Sequence, residues 1–525
     1  AVIVYPNRIR EAYGDIPVII GGLEASLRRF AHYDYWSDKV RRSILVDSRA
    51  DILSYGMGEN SIRRIAELLA RGVPVKKIRD VRGTAYLCRR GEKLNFDPVR
   101  GTREEPEGYD YDELKTSKAA YAAAFAEQYA NNDAVNGRAL VEYYDDRMLA
   151  VNPPAFPLER EELDRVYALP YQRTYHPMYE KEGGVPSILE VRFSITHNRG
   201  CFGFCNFCSI ALHQGRKISV RSEQSVLKEA ELLTKLPDFK GYIHDVGGPT
   251  ANFRRTSCDL QLEHGLCKGR KCLAPKPCPN LKVDHTEYLD ILRKMRAIDG
   301  VKKVFIRSGI RYDYLMEDKN DEFITELIKY HVSGQLKVAP EHCSAQVLDR
   351  MGKPHIEAYK KFQKKFYEIN HRIGKEQYLV PYLMSSHPGS TLKEAVELAL
   401  FLKEQGIHPE QVQDFYPTPG TISTCMFYTG LDPYTLEPVY VARTPEDKAM
   451  QRALLQYFMP KNQRKVIMAL EKAGRTDLIG FTKDCLVKPD AEYQRKQEQR
   501  NAAVRSGGSG GRHGTKKPTR GQKKQ

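Results

Sequence analysis

Three cysteines within eight residues carry the strongest chemical signal in this sequence. Cys201, Cys205 and Cys208 are spaced C-x3-C-x2-C in the segment CFGFCNFC. Thiolates this close together can serve one metal centre, and soft sulfur ligands favour iron–sulfur clusters or zinc. A cubane [4Fe–4S] cluster needs four ligands, so three cysteines leave one iron open to a small molecule. Zinc prefers four protein ligands in paired spacings, which this triplet matches poorly.

The triplet resembles the signature of the radical S-adenosylmethionine (SAM) superfamily, including the aromatic Phe207 directly before the last cysteine. The resemblance implies that Cys201, Cys205 and Cys208 hold a [4Fe–4S] cluster whose open iron binds SAM. It also implies reductive cleavage of SAM to a 5′-deoxyadenosyl radical, with Phe207 near the cofactor.

Further candidate contacts to SAM lie at the ends of predicted strands. Gly247-Gly248 stands where the superfamily has a Gly-Gly-Glu stretch whose backbone holds the SAM amino group, although Pro249 replaces the acidic residue. Active sites of β/α barrels lie at the carboxyl ends of the strands, so polar strand-end residues are candidates for binding SAM or substrate. These residues are Arg307, Ser308 and Glu341. No residue is assigned as a catalytic acid or base.

A second group of cysteines follows in a long insertion after the second predicted strand. Its members are spaced C-x8-C-x4-C-x5-C and are Cys258, Cys267, Cys272 and Cys278. The insertion is too long for an ordinary strand-to-helix loop. Four thiols predict a second metal centre, either an auxiliary [4Fe–4S] cluster or a structural zinc. Free cysteines without a metal are the alternative.

The elements that must position these cysteines form a regular series. Strands are predicted at 188–195, 242–246, 304–308, 336–339, 378–383 and 412–416, each followed by a helical pattern. Capping boxes are predicted at Asp284/Glu287 and Thr391/Glu394. Six β/α units in a row predict an α/β fold with a partial or full barrel at 185–440.

The flanking regions are predicted from composition and periodicity. Residues 1–75 are predicted as a small Rossmann-like α/β domain beginning with a strand at 1–5, and 76–184 as a connector with its own small fold. Helices at 445–457 and 462–473 predict a helical extension at 441–489, and 490–525 is predicted to be a disordered basic tail. The N-terminal segment resembles the cobalamin-binding domains found before some radical SAM barrels. The D-x-H-x-x-G motif is absent and His32 stands in AHYDYW, so no cobalamin is predicted.

Composition narrows the class of protein. The 525 residues are 41% hydrophobic and 29% charged, which suits a globular chain with a sizeable core. No run approaches the ~18 apolar residues of a membrane helix. No signal peptide is visible, the first residue is Ala1, and we expect a truncated chain in a reducing, cytoplasmic setting. The net charge is +16, and residues 490–525 contribute ten Lys/Arg against three Asp/Glu.

The whole chain resembles the YgiQ-like family of radical SAM proteins. The resemblance covers about residues 1–485 and rests on PVIIGGLEASLRRFAHYDYWSDKVRRSIL, CFGFCNFC, HDVGGPTANF, the insertion with the second cysteine group, KVAPEH, GKEQYLVPY and QVQDFYPTP. It implies the [4Fe–4S] cluster and SAM, and it names no substrate.

Two functions of different classes follow. The first is a radical SAM enzyme that takes electrons from a donor such as flavodoxin or ferredoxin and modifies RNA or protein. The second is a non-catalytic, zinc-stabilised nucleic-acid-binding protein that uses its basic tail as an electrostatic contact. Only the first requires SAM.

Overall fold

The computed structural model describes residues 1–507, and its N-terminal part is built on one mixed sheet. In sheet order the strands are Ile19–Ile20, Ile52–Ser54, Thr84–Arg89, Arg147–Val151, Leu140–Tyr144 and Tyr109–Asp110. The first two strands are parallel, and the next three neighbours pair antiparallel. The sheet thus takes strands from both sides of residue 75, whereas a domain boundary is predicted there.

A tight turn makes the central hairpin of this sheet. Leu140–Tyr144 and Arg147–Val151 are joined by two aspartates, and Asp145 has a φ of 56°. Aspartate tolerates the left-handed region better than most residues, as two-residue hairpin turns require. The helices of this part are Val4–Tyr13, Gly22–Leu27, Ile44–Ser48, Glu59–Ala70, Tyr111–Thr116, Lys118–Ala130 and Arg160–Tyr167.

Six parallel strands, which we call core strands one to six, follow in chain order. They are Ser194–Thr196, Tyr242–Ile243 continued by Asp245–Gly247, Lys303–Val304, Gln335–Glu341, Tyr378–Ser385 and Gln413–Asp414. Strand pairing joins one to two, two to three, four to five and five to six. Their inner side chains and the surrounding helices form the largest apolar cluster of the molecule. The predicted mixed α/β fold is confirmed.

Helices connect the core strands, and local signals set several of their ends. Ser222 accepts the N–H of Ser225 at the start of Glu223–Thr234, and Thr391 with Glu394 forms a complete capping box before Leu392–Glu404. The other helices of this part are Ile210–Gln214, Leu260–His264, Thr286–Arg296, Tyr312–Leu315, Glu322–Glu326, Ala345–Met351, Ile356–Arg372 and Ile422–Thr429.

Helices also end the described chain. Pro445–Leu455 and Gln463–Lys472 confirm the predicted helical pair. The prediction of disorder from residue 490 is wrong up to Gly507, because Ala491–Gly507 is a helix. Asp490 accepts the N–H of Tyr493 at 2.7 Å, and the Tyr493 ring is buried against the preceding helices. Residues 508–525, the rest of the predicted basic tail, lie outside the described residues.

Three local predictions need correction. Residues 1–5 are not a strand, since helix Val4–Tyr13 begins there, and helix Ile188–Val191 precedes the short strand Ser194–Thr196. The capping box predicted at Asp284 and Glu287 does not form, because the Glu287 carboxylate bonds to a buried arginine, Arg254, instead of its own helix. In the described part of the chain, no helix has both the length and the apolar character needed to cross a bilayer.

Candidate functional site

The cysteine triplet lies in a loop directly after core strand one. Gly200 turns the chain with a φ of 85°, and a Cβ there would lie 2.2 Å from the carbonyl oxygen of Lys217. The N–H of Cys201 donates to the Gly215 carbonyl at 3.1 Å, and that of Cys208 donates to the Cys205 carbonyl at 3.1 Å. The loop is therefore fixed through its backbone, and its three thiols remain partly exposed.

Aromatic side chains hold this loop on both sides. The Phe202 ring stacks on Phe253 with centroids 3.8 Å apart, and the Phe204 ring stacks on Tyr129 of the N-terminal part at 4.7 Å. The Arg216 guanidinium lies 4.0 Å from the centroid of Phe204. The phenylalanines thus exclude water from the flanks of the cysteines and join the loop to the N-terminal sheet.

Asn206 ties the middle of the loop to more distant helices. Its N–H donates to the Met351 carbonyl and its Nδ2 to the Arg350 carbonyl, both at 2.8 Å, while its own carbonyl accepts from Ser423. The next residue, Phe207, meets the His387 ring edge-on at 6.1 Å. Segments that follow core strands four, five and six therefore shape a loop that follows strand one.

The three thiols are close enough to influence one another. Burial raises the pKa of Cys208 to about 12, and negative charge on Cys205 and Cys201 raises it further. The guanidinium of Arg311 opposes that charge, because its Nη1 lies 3.5 Å from the Cys205 sulfur. A cation beside a thiolate stabilises the ligand form of cysteine.

Within residues 1–507, no three His, Cys, Asp or Glu side chains converge closely enough to share one metal ion. A [4Fe–4S] cluster has a different requirement, since each cysteine binds its own iron of the cubane. Three soft donors on one fixed loop, with a cation beside them and apolar rings around them, fit such a cluster.

A buried charged group adjoins the cysteine loop. Arg311 forms a two-bonded ion pair with Asp313. Burial works against the charge of Arg311, yet Asp313 together with Cys205 raises its pKa well above the usual range. Lys353 is also buried and acts electrostatically on Cys208, Asp313 and Glu341.

Glu341 ends core strand four beside these cations. Its φ of 69° is unusual for a residue with a side chain, and the strand register shifts between Val338 and Glu341. Burial raises the pKa of its carboxyl group, and Lys353 and Arg311 counteract that rise. Strained backbone of this kind concentrates at functional sites.

Gly247 and Gly248 let neighbouring side chains approach their backbone more closely than any other residue would allow. A Cβ on Gly247 would lie 2.1 Å from Ser308 Oγ, and one on Gly248 would lie 1.7 Å from Asn198 Oδ1. That Asn198 oxygen is buried without a hydrogen-bond partner in the described residues. Thr250, whose carbonyl accepts from Asn198, has its hydroxyl 3.5 Å from the Cys201 sulfur. The Gly247-Gly248 backbone, Asn198 and Thr250, which we call the cradle, therefore place an orphaned polar oxygen directly beside the cysteine loop, and their chemistry suits a small polar group such as the amino-acid end of SAM.

Asp245 organises the end of core strand three. Its Oδ1 accepts the N–H groups of Arg307 at 2.7 Å and Ser308 at 3.0 Å, and its Oδ2 accepts the Ser308 hydroxyl. The Arg307 side chain itself is exposed and lies over Phe305. The carbonyl of Gly247 accepts the N–H of His197, so part of its hydrogen-bonding capacity is used inside the sheet.

The second cysteine group folds next to the first. Burial raises the pKa of Cys272, and the charges of Cys258 and Cys278 raise it further. The N–H of Cys278 donates to the Cys272 carbonyl at 2.9 Å. Cys267 is exposed. Cys272 and Cys201 pack against the same small apolar cluster of Phe202, Ile218, Phe253, Leu273 and Tyr314.

Lys271 connects the insertion to the cysteine triplet. Its ammonium group donates to the Phe204 carbonyl and to Asn206 Oδ1, both within the loop. Burial lowers the pKa of Lys271 to about 7, while Cys205 acts in the opposite direction. The insertion thus adds a cation directly behind the triplet.

Comparison with known proteins identifies the family. A UPF0313 protein of Clostridium botulinum (strain 657 / Type Ba4) is 58% identical over 487 residues, which are 93% of this chain and 75% of that protein. This chain belongs to the UPF0313 family. A UPF0313 protein of Clostridium perfringens (strain 13 / Type A) is 54% identical over 501 residues, 95% of this chain and 75% of that one. The family model described as Radical SAM N-terminal matches residues 1–194, and a domain of unknown function, DUF3362, matches 410–525. The predicted YgiQ-like radical SAM family is confirmed.

Two solved structures match this UPF0313 protein at low sequence identity and low TM-score. One is the radical SAM methyltransferase TsrM from Kitasatospora setae, at 13% identity, with a TM-score of 0.42, covering 80% of this chain and 60% of that one. The other is the cobalamin-dependent SAM radical enzyme OxsB, at 11% identity, with a TM-score of 0.45, covering 96% of this chain and 60% of that one.

The UPF0313 chain brings most of the predicted site residues to one place. The triplet, Gly247-Gly248 and Glu341 are linked through Arg311, Asn198 and Thr250, and their roles stay predictions. Arg307 differs, since its guanidinium lies on the surface instead of among these groups. The sequence analysis does not predict a role for several residues of this site, which are Asn198, Asp245, Lys271, Arg311, Asp313 and Lys353. The R-x-D spacing of Arg311 and Asp313 after a strand is the one local signal for them.

Proposed function

We propose that this UPF0313 protein is a radical SAM enzyme with a [4Fe–4S] cluster on Cys201, Cys205 and Cys208. The observation that carries the proposal is the placement of this loop against the Gly247-Gly248 cradle, with Arg311 beside Cys205. When bound, the cluster and SAM supply a 5′-deoxyadenosyl radical that removes hydrogen from an unreactive C–H bond of the substrate.

The neighbouring residues bind and orient SAM in this proposal. The Gly247-Gly248 backbone receives the amino group, Arg311 and Lys353 offset negative charge at the cluster and at the SAM carboxylate, and Glu341 accepts hydrogen bonds from the ribose. Ser308 contributes from core strand three, where Asp245 fixes its hydroxyl. Phe207 keeps water from the cluster. Arg307 is a contact for substrate at the rim.

The domains follow the same proposal. The six β/α units at 185–440 form the radical SAM barrel, 1–75 and 76–184 cover it from the N-terminal side, and 441–489 is a helical extension. SAM is the cosubstrate and a flavodoxin or ferredoxin is the electron donor. No cobalamin takes part.

The second cysteine group is proposed as a second metal centre. Cys258 and Cys278 lie near enough to Cys272 to influence its pKa, although the three thiols do not converge on one ion, so binding would have to draw them together with the exposed Cys267. An auxiliary [4Fe–4S] cluster roughly doubles the iron and sulfide content of the loaded protein relative to a single cluster, whereas a structural zinc leaves it unchanged.

The test is reductive cleavage of SAM by the reconstituted chain under anaerobic conditions. We expect 5′-deoxyadenosine from the parent and from Cys485→Ala, a half-buried cysteine remote from both groups, and none from Cys208→Ala. Chromatography quantifies the nucleoside, and metal analysis of the same samples reports iron and zinc. An iron-loaded parent that forms no deoxyadenosine would contradict the proposal. Zinc without iron, and no use of SAM, would favour the nucleic-acid-binding alternative.

One surface of the molecule favours RNA as the macromolecular substrate. Trp36 is 80% exposed, and its ring lies 6.2 Å from that of Tyr416, which follows core strand six. Lys39 follows Trp36 in the same hairpin, Lys448 Nζ lies 5.1 Å from the centroid of the adjoining Tyr35, and Arg443 lies 6.0 Å from the centroid of Phe427, which packs on Tyr35. None of these three cations forms an ion pair with a carboxylate of the described residues. We call Trp36, Tyr416 and these three cations the aromatic–basic surface. Stacking rings between free cations suit unpaired bases and their phosphates.

A further inference from the structure

We propose that a second small-molecule site, for a nucleoside phosphate, lies in the N-terminal part, at the carboxyl ends of strands Ile19–Ile20 and Ile52–Ser54. An open cleft of about 310 Å³ lies there between the Gly21-Gly22 turn and the turn at 56–58. Ligands of open α/β sheets bind outside the carboxyl ends of parallel strands. This inference does not depend on the radical SAM proposal.

A helix N-terminus without a cap faces this cleft. Glu59–Ala70 has twelve residues, and its N-cap, Gly58, contributes no side chain. The N–H groups of Glu59, Asn60 and Ser61 have no acceptor in the described part of the chain. The partial positive charge of free N–H groups at a helix start favours a phosphate.

A buried hydroxyl group independently indicates a ligand at the same position. Ser54 is 7% exposed and lines the cleft, and its Oγ has no hydrogen-bond partner among the described residues. A Cβ added to Gly58 would lie 2.8 Å from this oxygen, so the hydroxyl is directed at the turn that begins the helix. Buried hydroxyl groups are nearly always paired. A phosphate oxygen in the turn would accept from Ser54 and from the free N–H groups together.

The rest of the cleft suits the nucleoside half of the ligand. Glu59 accepts from Arg199 at 2.5 Å through Oε1, and its Oε2 is buried without a partner in the described residues. That oxygen can accept from ribose hydroxyl groups, and Arg199 balances its charge so that a nearby phosphate is tolerated. Met57 and Ile62 supply apolar surface for a flat base.

One serine holds the two turns and the far wall together. Ser26 Oγ donates to the Gly22 carbonyl at 2.8 Å, accepts the N–H of Gly56 at 2.9 Å and lies 3.0 Å from Nδ1 of His213. His213 belongs to helix Ile210–Gln214, which begins two residues after Cys208. The cleft is therefore completed by the segment that carries the cysteine triplet.

Calorimetric titration of the full, cluster-loaded chain with AMP tests the site, with saturating SAM present so that the proposed SAM site is occupied. Inorganic phosphate and adenosine are titrated separately. We expect AMP to bind and phosphate to compete with it more weakly. Gly58→Asp should weaken AMP at least tenfold, because the new carboxylate caps the free N–H groups and repels phosphate. Ser54→Ala should weaken it about tenfold through the loss of one charge-assisted hydrogen bond.

Ser117→Asp is the matched control, since it places a carboxylate at the start of another long helix of the same part, Lys118–Ala130. It should leave AMP affinity unchanged. Circular dichroism verifies the fold of each variant, and deoxyadenosine yield should be the same in Gly58→Asp as in the parent. No AMP binding at millimolar concentration would overturn the inference. Equal affinity of Gly58→Asp, Ser54→Ala and Ser117→Asp would also overturn it, and neither result bears on SAM cleavage.

Discussion

Gly248 is the residue on which the proposed SAM-binding cradle depends most directly. Because Gly248 has no side chain, Asn198 Oδ1 can lie against its backbone. This oxygen is buried without a hydrogen-bond partner in the described residues, and Thr250 lies between Asn198 and Cys201. A methyl group at this position must displace Asn198, which also bonds the carbonyls of Thr250 and Phe253. Packing strain and loss of the cradle are therefore expected together.

Gly248→Ala should lower the deoxyadenosine rate at least tenfold and destabilise the fold by about 1–3 kcal/mol, the usual cost of overpacking. Gly269→Ala is the control, since a Cβ there meets nothing within 4 Å. This prediction is tested by measuring the deoxyadenosine rate and the unfolding midpoint of both variants. A Gly248→Ala variant with the parent's SAM affinity and rate would show that the cradle does not hold SAM.

At the scale of an element, strand Leu140–Tyr144 holds an ionisable side chain, Glu142, in a fully buried position. Glu142 Oε2 accepts the N–H of Ala31 and the hydroxyl of Tyr144, both at 2.8 Å, and Oε1 accepts from Gln128 at 3.0 Å. Burial nevertheless raises the pKa of Glu142 to about 7. An unfolded glutamate titrates near 4.3.

This difference predicts how stability depends on pH. Between about pH 4.3 and 7 the folded chain binds a proton that the unfolded chain has released, so stability falls as pH rises through that window and levels off above it. The loss should reach roughly 4 kcal/mol. Glu142→Gln removes this contribution, and urea unfolding at pH 5, 6, 7 and 8 measures it. The exposed Glu113→Gln serves as control, and an equal slope in both variants would refute the assignment.

Elements were predictable where their signals are local. The caps at Ser222 and Thr391 and the alternating strand Gln335–Glu341 follow from neighbouring residues. The six-stranded sheet was not predictable as one unit, because its strands come from residues 19 to 151 and pair across helices and hairpins. The sequence predicts a strand where helix Ile188–Val191 forms, because a short apolar run fits both the strand and the helix period.

At the scale of the whole molecule, the aromatic–basic surface adjoins the end of core strand six. Trp36 is the single tryptophan of the chain, so its fluorescence reports on this surface alone. We expect single-stranded RNA to quench it, with affinity that falls steeply as salt rises.

Trp36→Ala should weaken binding of a labelled oligonucleotide about tenfold, the effect of losing one stacked base. Fluorescence anisotropy measures the affinity. Tyr378→Ala is the matched control, since that ring is 60% exposed at the opposite end of a core strand. Equal losses in the two variants, or no binding by the parent, would exclude this surface as the RNA contact.

Only those parts of the candidate site whose signal lies within a short stretch of sequence were predictable. The cysteine spacing and the two glycines identified one edge of it. Asn198 and Lys353 were not recognisable, and Arg311 had only its R-x-D spacing, because the interactions that give them importance, with Thr250, Cys208 and Cys205, join residues that are far apart in the sequence. Ion pairs and orphaned oxygens between such partners have no signature in a single sequence.

Lys271 gives the insertion a meaning for protein engineering. Residues 258–278 look like an appendage that could be cut out to simplify the protein, yet the Lys271 ammonium group holds two oxygens of the CFGFCNFC segment. A shortened chain would leave the Phe204 carbonyl and the Asn206 amide without their donor. A minimal version of this protein would therefore have to keep the loop, or supply an ammonium group from elsewhere.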